Sequence, residues 1–242
     1  MNKYFQLILL LAISIPVQAQ LESLSSSPLT AYGSGVNMRV NNMPTAPPDL
    51  DNSLYLQEEW AVGSILLEDG RIIKRCTLRY DIGNGYIEIQ DRTTIRAAAE
   101  RNVQQFTIET PPQTRWFVSG SKFKSEKEPN YNLMEVLVDG DIKLLLSTKV
   151  EIIKPSGGFS DQRRANSGDP ITSRKIVKFY LIQDEQLVDV TSKGKLLKAF
   201  GSYQTDIKSY AKKNKIGFSK QKDLVTLATY YAELVKKSAN QE

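Results

Sequence analysis

Histidine is absent from this chain of 242 residues. A chain without histidine lacks the usual proton shuttle, the Ser-His-Asp and Cys-His nucleophiles, and the commonest ligand of zinc, copper and non-haem iron. A glycine-rich phosphate loop is also missing, because the short GSG and SGG segments do not lead from a strand into a helix. We therefore predict no catalytic motif, no metal site and no cofactor.

Cysteine occurs once, at Cys76, so the chain cannot form an intramolecular disulfide. In the segment RIIKRCTLRY, a period of two places Ile72, Cys76, Leu78 and Tyr80 on one face, interrupted by Lys74. We predict that the thiol is buried and packs as a small apolar group. A reactive thiol or an intermolecular bridge is the alternative.

Long apolar runs are absent except near the N-terminus. Lys3 precedes an apolar run from about Tyr4 to Ile15, and the segment Val17-Gln18-Ala19 has the character of a signal-peptidase site. Residues 1–19 are therefore predicted to be a signal peptide, with no lipid anchor and no transmembrane segment, since the run is too short to span a bilayer. We expect a periplasmic protein, with secretion as the alternative.

The rest of the sequence divides into three parts. Residues 20–52, rich in Ser, Asn and Pro, predict an extended leader or linker. Residues 53–190 contain short alternating segments separated by turns, which predicts an antiparallel β domain, either a barrel or a sandwich. The turns are expected at 68–70, 83–85, 139–141 and 184–185, and Pro111-Pro112 should lie in a loop or at a sheet edge.

Residues 191–242 change to a helical period, which predicts two or three helices packed on the β domain. Gly201 is expected to follow the end of the first helix, and Ser219 to be the N-cap of the last. The last helix has a broad apolar face that includes Leu224, Leu227 and Tyr231. The predicted fold class is therefore α+β, with a mainly antiparallel sheet followed by these helices.

Positive charge is concentrated in the helical segment. The net charge is +5, but the segment from Thr191 onward has eleven lysines and four acids, a net of 11 − 4 = +7, so residues 1–190 carry 5 − 7 = −2. Lys208, Lys212 and Lys215 are predicted to form a stripe on the solvent side. This stripe either contacts an anionic partner or is simply a solvated helix face.

A polar segment, residues 154–175, is predicted to be a long loop between two strands. Loops of this length without secondary structure are uncommon unless they are functional or disordered. Arg163, Arg164, Arg174 and Lys175 could together bind an anionic group. A mobile hairpin tip is the alternative.

Two stretches resemble a known set of proteins: SLYLQEEWAVGSILLEDGRIIKRCTLRYD and LIQDEQLVDVTSKGKLLKAFGSYQTDIKSYAKKNKIGFSKQKDLVTLATYY. Their pattern of turns, core positions and lysines is similar to that of exported, largely uncharacterised β-rich proteins of Bacteroidota with a Lys-rich helical C-terminus. The resemblance covers most of residues 53–235 and implies the envelope of a Gram-negative cell, but no particular activity.

Taken together, these features favour a non-catalytic periplasmic binding or scaffold protein. Its expected partner is another envelope protein or an anionic envelope component; contact with a membrane surface is compatible with the charge, and nucleic acid is not expected outside the cytoplasm. Two alternatives remain from other classes. One is a hydrolase or lyase that uses carboxylates, and the other is a carrier that holds a small ligand in a β-barrel lumen.

Overall fold

The computed structural model describes residues 38–39, 54–92, 94–124, 132–153 and 172–240. The described strands are, in order, β1 (Met38–Arg39), β2 (Ala61–Leu67), β3 (Ile72–Asp81), β4 (Tyr86–Asp91), β5 (Thr94–Ala99), β6 (Val103–Thr110), β7 (Gln113–Ser119), β8 (Leu133–Val138), β9 (Lys143–Ile153), β10 (Thr172–Gln183) and β11 (Gln186–Asp189). The helices are α1 (Lys193–Ala199), α2 (Gln204–Lys213) and α3 (Gln221–Ala239). The predicted α+β class is confirmed. The predicted signal peptide and, apart from β1, the predicted leader lie outside the described residues.

These eleven strands form one sheet in the order β1-β5-β4-β3-β2-β6-β7-β8-β9-β10-β11. Every neighbouring pair is antiparallel. Chain reversals occur at the predicted turns, and Pro111-Pro112 forms the turn between β6 and β7. For consecutive strands joined by a tight turn, the antiparallel arrangement follows from the connection, because such a turn can join only strands of opposite direction.

The C-terminal half of the sheet curls back on itself. Beyond β7, the Lys124 backbone N–H donates to the Glu185 carbonyl oxygen at 2.8 Å, and the Leu187 N–H donates to the Lys124 carbonyl oxygen at 2.9 Å. The strands β7 and β11 are four places apart in the sheet. A segment that leaves β7 can reach β11 only if the intervening strands are strongly twisted and coiled.

A bulge interrupts β3. Gly63 of β2 is opposite Cys76, whereas Ile65 is opposite Ile73, so two residues of β3 face one residue of β2. Arg75, one of the two, has a φ of 45°, in the left-handed region that side chains rarely adopt. The bulge shifts the inward-facing positions of β3 by one residue.

The predicted inward position of Ile72 is therefore wrong. Ile73 is buried at 2 % exposure, and Ile72 is exposed. Cys76 is buried, as predicted, with its thiol 3.6 Å from the Gly63 carbonyl oxygen. Burial raises the pKa of the Cys76 thiol to about 12, so the reactive thiolate form is disfavoured.

The helices bury one face of the sheet around β9 and β10, as predicted. A single apolar cluster joins side chains of the strands to side chains of all three helices: Leu144, Leu146, Phe179, Leu181, Leu196, Phe200, Ile207, Leu224, Leu227 and Tyr231. Each large side chain buried in this way contributes roughly 1.5–3 kcal/mol before ordering costs are subtracted. The helical segment is therefore part of the same folded unit as the sheet.

The ends of the helices agree only partly with the sequence. Gly201 follows α1 with a φ of 55°, the left-handed conformation that its predicted role requires. The prediction that Ser219 is the N-cap of the last helix is wrong, because the N-cap is Lys220, without a side-chain hydrogen bond. Instead, the Asp223 carboxylate of the first turn accepts a hydrogen bond from the Gly217 N–H at 3.1 Å.

Candidate functional site

The helical segment exposes many lysines, which together are here called the lysine surface. All of its eleven lysines are exposed: Lys193, Lys195, Lys198, Lys208, Lys212, Lys213, Lys215, Lys220, Lys222, Lys236 and Lys237. Residues 191–240 contain only three acids, Asp206, Asp223 and Glu233, so their net charge is 11 − 3 = +8. This is the strongest concentration of one sign of charge among the described residues.

Few of these lysines are neutralised by other described residues. Lys195 forms an ion pair with Asp189 at 2.6 Å, and the ammonium group of Lys193 lies 4.9 Å from the ring centroid of Phe218. Within the described ranges, no other member of the lysine surface forms an ion pair. Uncompensated positive charge on one segment attracts anions over about a Debye length, roughly 8 Å at physiological salt.

The predicted stripe is formed by two lysines rather than three. Lys208 and Lys212 are one turn apart on α2, while Ile207 and Ala211 are buried in the core. Lys215 lies beyond the end of α2, and its φ of 55° shows that the helix has ended. Lys215 is exposed, and it is close to Lys208 and Lys212 in sequence. It does not extend their helical face.

The predicted arginine cluster of residues 154–175 is described only in part. Arg163 and Arg164 lie outside the described residues. Residues 172–175 belong to β10, so the predicted loop boundary at 175 is wrong. Arg174 forms an ion pair with Glu151 at 2.5 Å, and Lys175 donates to the Leu56 carbonyl oxygen at 3.4 Å. Both cations therefore already have partners within the chain.

Tyr80 and Glu100 form a buried polar pair that the sequence did not predict. The Tyr80 hydroxyl donates a hydrogen bond to Glu100 Oε1, and Tyr80 is 2 % exposed. Burial and the neighbouring Glu100 raise the pKa of Tyr80. Burial also raises the pKa of Glu100, although the hydrogen bond from Tyr80 and the charge of Lys149 oppose this shift. The Tyr80 ring packs edge-on against Phe106, so the pair is part of the core.

A second polar cluster is centred on Arg79. Its guanidinium donates to Glu88 Oε2 at 2.8 Å, and the Tyr55 hydroxyl donates to Glu88 Oε1 at 3.0 Å. The guanidinium also lies over the rings of Tyr55 and Trp60, 3.7 and 4.7 Å from their centroids. These contacts attach the segment before β2 to β3 and β4 through a charge-assisted hydrogen bond and cation–π contacts.

The two clusters do not form one site. Arg79 and Tyr80 are successive residues of β3, so their side chains point to opposite faces of the sheet. Their carboxylate partners, Glu88 and Glu100, are therefore separated by the sheet. A hydrolase based on two carboxylates needs both groups on either side of one substrate bond. This geometry gives that alternative no support.

The described residues contain no group of three or more acidic, cysteine or histidine side chains arranged to hold a metal ion. No helix among them combines the length and hydropathy needed to cross a bilayer. Comparison of the chain with family models, with curated proteins and with solved structures finds no match.

Proposed function

We propose that this protein is a non-catalytic binding or scaffold protein of the bacterial envelope, which holds an anionic envelope component through its lysine surface. The observation that carries the proposal is the charge of +8 on residues 191–240, with all eleven lysines exposed. The binding class is favoured because this surface is open, whereas the polar clusters of the core are enclosed by their own partners.

The chemistry of the lysine surface suits a partner whose negative charge is spread over an area. Lysine ammonium groups act as flexible point charges, whereas arginine provides a planar fork for one bound carboxylate or phosphate. Residues 191–240 contain lysine and no arginine. We therefore propose a partner that spreads its negative charge over an area, such as an acidic protein face or an anionic lipid headgroup layer, each lysine near a membrane contributing about 1 kcal/mol.

The proposed location is the periplasm. It rests on the character of residues 1–19, in which a lysine is followed by a short apolar run and a small-residue cleavage site. The positive charge of the helices suits this location, because anionic groups are abundant in the envelope.

Affinity purification from envelope extracts tests the function. We expect the native protein to retain an anionic component that is released by added salt, and K208E/K212E to lose it. The matched control is K122E/K178E, which makes the same charge change at two exposed lysines outside the lysine surface. If both double variants retain the same component equally well, the lysine surface is not the binding site and the proposal fails.

A further inference from the structure

Part of the sheet extends beyond its other neighbours as a two-stranded ribbon. The pairing of β8 with β9 ends at Leu146, and that of β11 with β10 begins at Tyr180. Residues 147–153 and 172–178, here called the ribbon, pair with each other and with no other described strand. An isolated two-stranded ribbon is at best marginally stable in water, so further pairing would stabilise it.

The ribbon also exposes apolar side chains. Of the five large hydrophobic side chains that are exposed among the described residues, the ribbon contains Ile152 at 47 %, Ile153 at 43 % and Val177 at 46 %. Single exposed apolar residues are ordinary, but here Ile152 and Val177 lie on one face of the ribbon and Ile153 on the other, so both faces expose apolar area. A strand edge whose backbone groups have no partner among the described strands, beside exposed apolar side chains, readily accepts another strand.

The sequence of β9 is complementary to itself. Lys149 and Glu151 flank Val150, and both lie on the same face of the strand. If two copies of β9 pair antiparallel about a two-fold axis at Val150, each Lys149 lies opposite the second copy's Glu151. Thr148 then lies opposite the second copy's Ile152, which covers part of this exposed side chain. Directly opposite pairs of unlike charge stabilise a sheet.

The outer edge of β10 is not complementary to itself. Lys175 is at the centre of residues 172–178, so a two-fold pairing there would place it opposite its own copy. Residues 172–178 also include Arg174 and Lys178 but no acid. Like charges directly opposite each other are destabilising, so the β10 edge opposes self-pairing.

We infer that a second copy of this chain is the partner of the β9 edge, and that residues 148–152 of the two copies pair antiparallel about Val150 to join two sheets into one. Such a dimer has closed two-fold symmetry, the commonest form of oligomer. Glu151 keeps its ion pair with Arg174 of its own chain, since both lie on the same face of the ribbon. This inference is independent of the proposed anionic partner.

Sedimentation of three charge variants tests the pairing. We expect a dimer for the native chain, a dissociation constant about tenfold weaker for K149E and for E151K, and recovery of the dimer for K149E/E151K. An equimolar mixture of K149E and E151K should form a heterodimer, because each reversed charge then meets its opposite. This mixture also controls for the effects of K149E near Glu100 and of E151K on Arg174.

A cysteine placed on the axis gives a second, direct measurement. The two Val150 residues should have Cα atoms about 4.5–5.5 Å apart, within disulfide range. V150C should therefore form a disulfide-linked dimer on oxidation, whereas V177C, on the other strand of the same ribbon, should stay monomeric. The native Cys76 is buried and should not interfere. A native chain that remains monomeric, or a dimer unaffected by single charge reversal, or linkage of V177C rather than V150C, would overturn the inference.

Discussion

Gly63 and Thr107 are in such close contact that a Cβ atom on Gly63 would lie 2.0 Å from the Thr107 carbonyl oxygen. The contact joins β2 to β6, two strands that are neighbours in the sheet but are separated in the chain by β3, β4 and β5. Only glycine allows the two backbones to pair at this point.

Substitution of Gly63 by alanine should therefore destabilise the fold. The obstructing atom belongs to the backbone, so β2 and β6 must separate, and we expect a loss of about 3 kcal/mol or more in the free energy of unfolding. The control is Gly194→Ala in α1, where a Cβ meets nothing within 4 Å. That change should be neutral or stabilise by up to about 1 kcal/mol. Urea denaturation measures both, and equal stability of the two variants would contradict the prediction.

Glu100 should make stability depend on pH. Burial raises the pKa of Glu100 in the folded chain above its ordinary value of 4.5, so the folded state favours the protonated form. Its contribution is therefore fully present below pH 4.5 and is lost as pH rises through the folded pKa. Glu100→Gln stays neutral but can still accept the Tyr80 hydrogen bond. The free energy of unfolding of E100Q, relative to that of the native chain, should increase as pH rises from 4 to 7. A difference that stays constant with pH would show that Glu100 is not buried in its charged form.

Arg79 and Glu88 should be energetically coupled. Their side chains are 19 % and 7 % exposed, so Arg79→Met leaves a nearly buried carboxylate with only Tyr55 as a partner. We expect a loss of about 2–3 kcal/mol, less than for a fully buried pair because Arg79 keeps some contact with water. The double variant R79M/E88Q should lose less than R79M alone. Additive losses in this double-mutant cycle would mean that the pair is not coupled.

Removal of residues 219–242 should cause aggregation. The truncation deletes α3 and exposes the side chains that face Leu224, Leu227 and Tyr231 in the core. In contrast, K208E/K212E/K215E should lose about 1 kcal/mol or less, because these lysines are exposed and interact mainly with the end of α2. Light scattering measures the aggregation of the truncated chain and of K208E/K212E/K215E, and thermal melts measure their stability. A truncated chain that is monomeric with an unchanged melting temperature would show that α3 is an appendage.

The turns and the helical faces could be predicted because their causes are local. Asp69-Gly70 ends β2 through the backbone conformation that glycine allows and through the Asp69 carboxylate, which accepts the Arg71 N–H. The lysines of α2 are exposed because the apolar positions Ile207 and Ala211 fix which side faces the core. Neither feature requires knowledge of distant parts of the chain.

Several of the errors concern features that depend on distant residues. The bulge that moves Ile73 inward is set by the pairing of β3 with β2, which alternation within β3 alone does not reveal. The strand β5, with the sequence TIRAAA, was not predicted, since alanine favours helices, and it forms because its backbone pairs with β4. The pair of Tyr80 and Glu100 was also not predicted, because the two residues are twenty positions apart in the chain. A charged residue within the apolar segment YIEIQ was the one local signal for Glu88.

The contact of Lys124 with β11 has a consequence for the order of assembly. From β6 to β11, each strand pairs with the next in the chain, so this part of the sheet can grow one hairpin at a time. The bridge between Lys124 and Gln186 connects residues 62 positions apart (186 − 124 = 62), and it can form only when β11 is in place. Closing a loop of this length carries an entropy cost that hairpins avoid. We therefore expect the helices to dock in the last stage of folding, when nearly the whole chain has been synthesised.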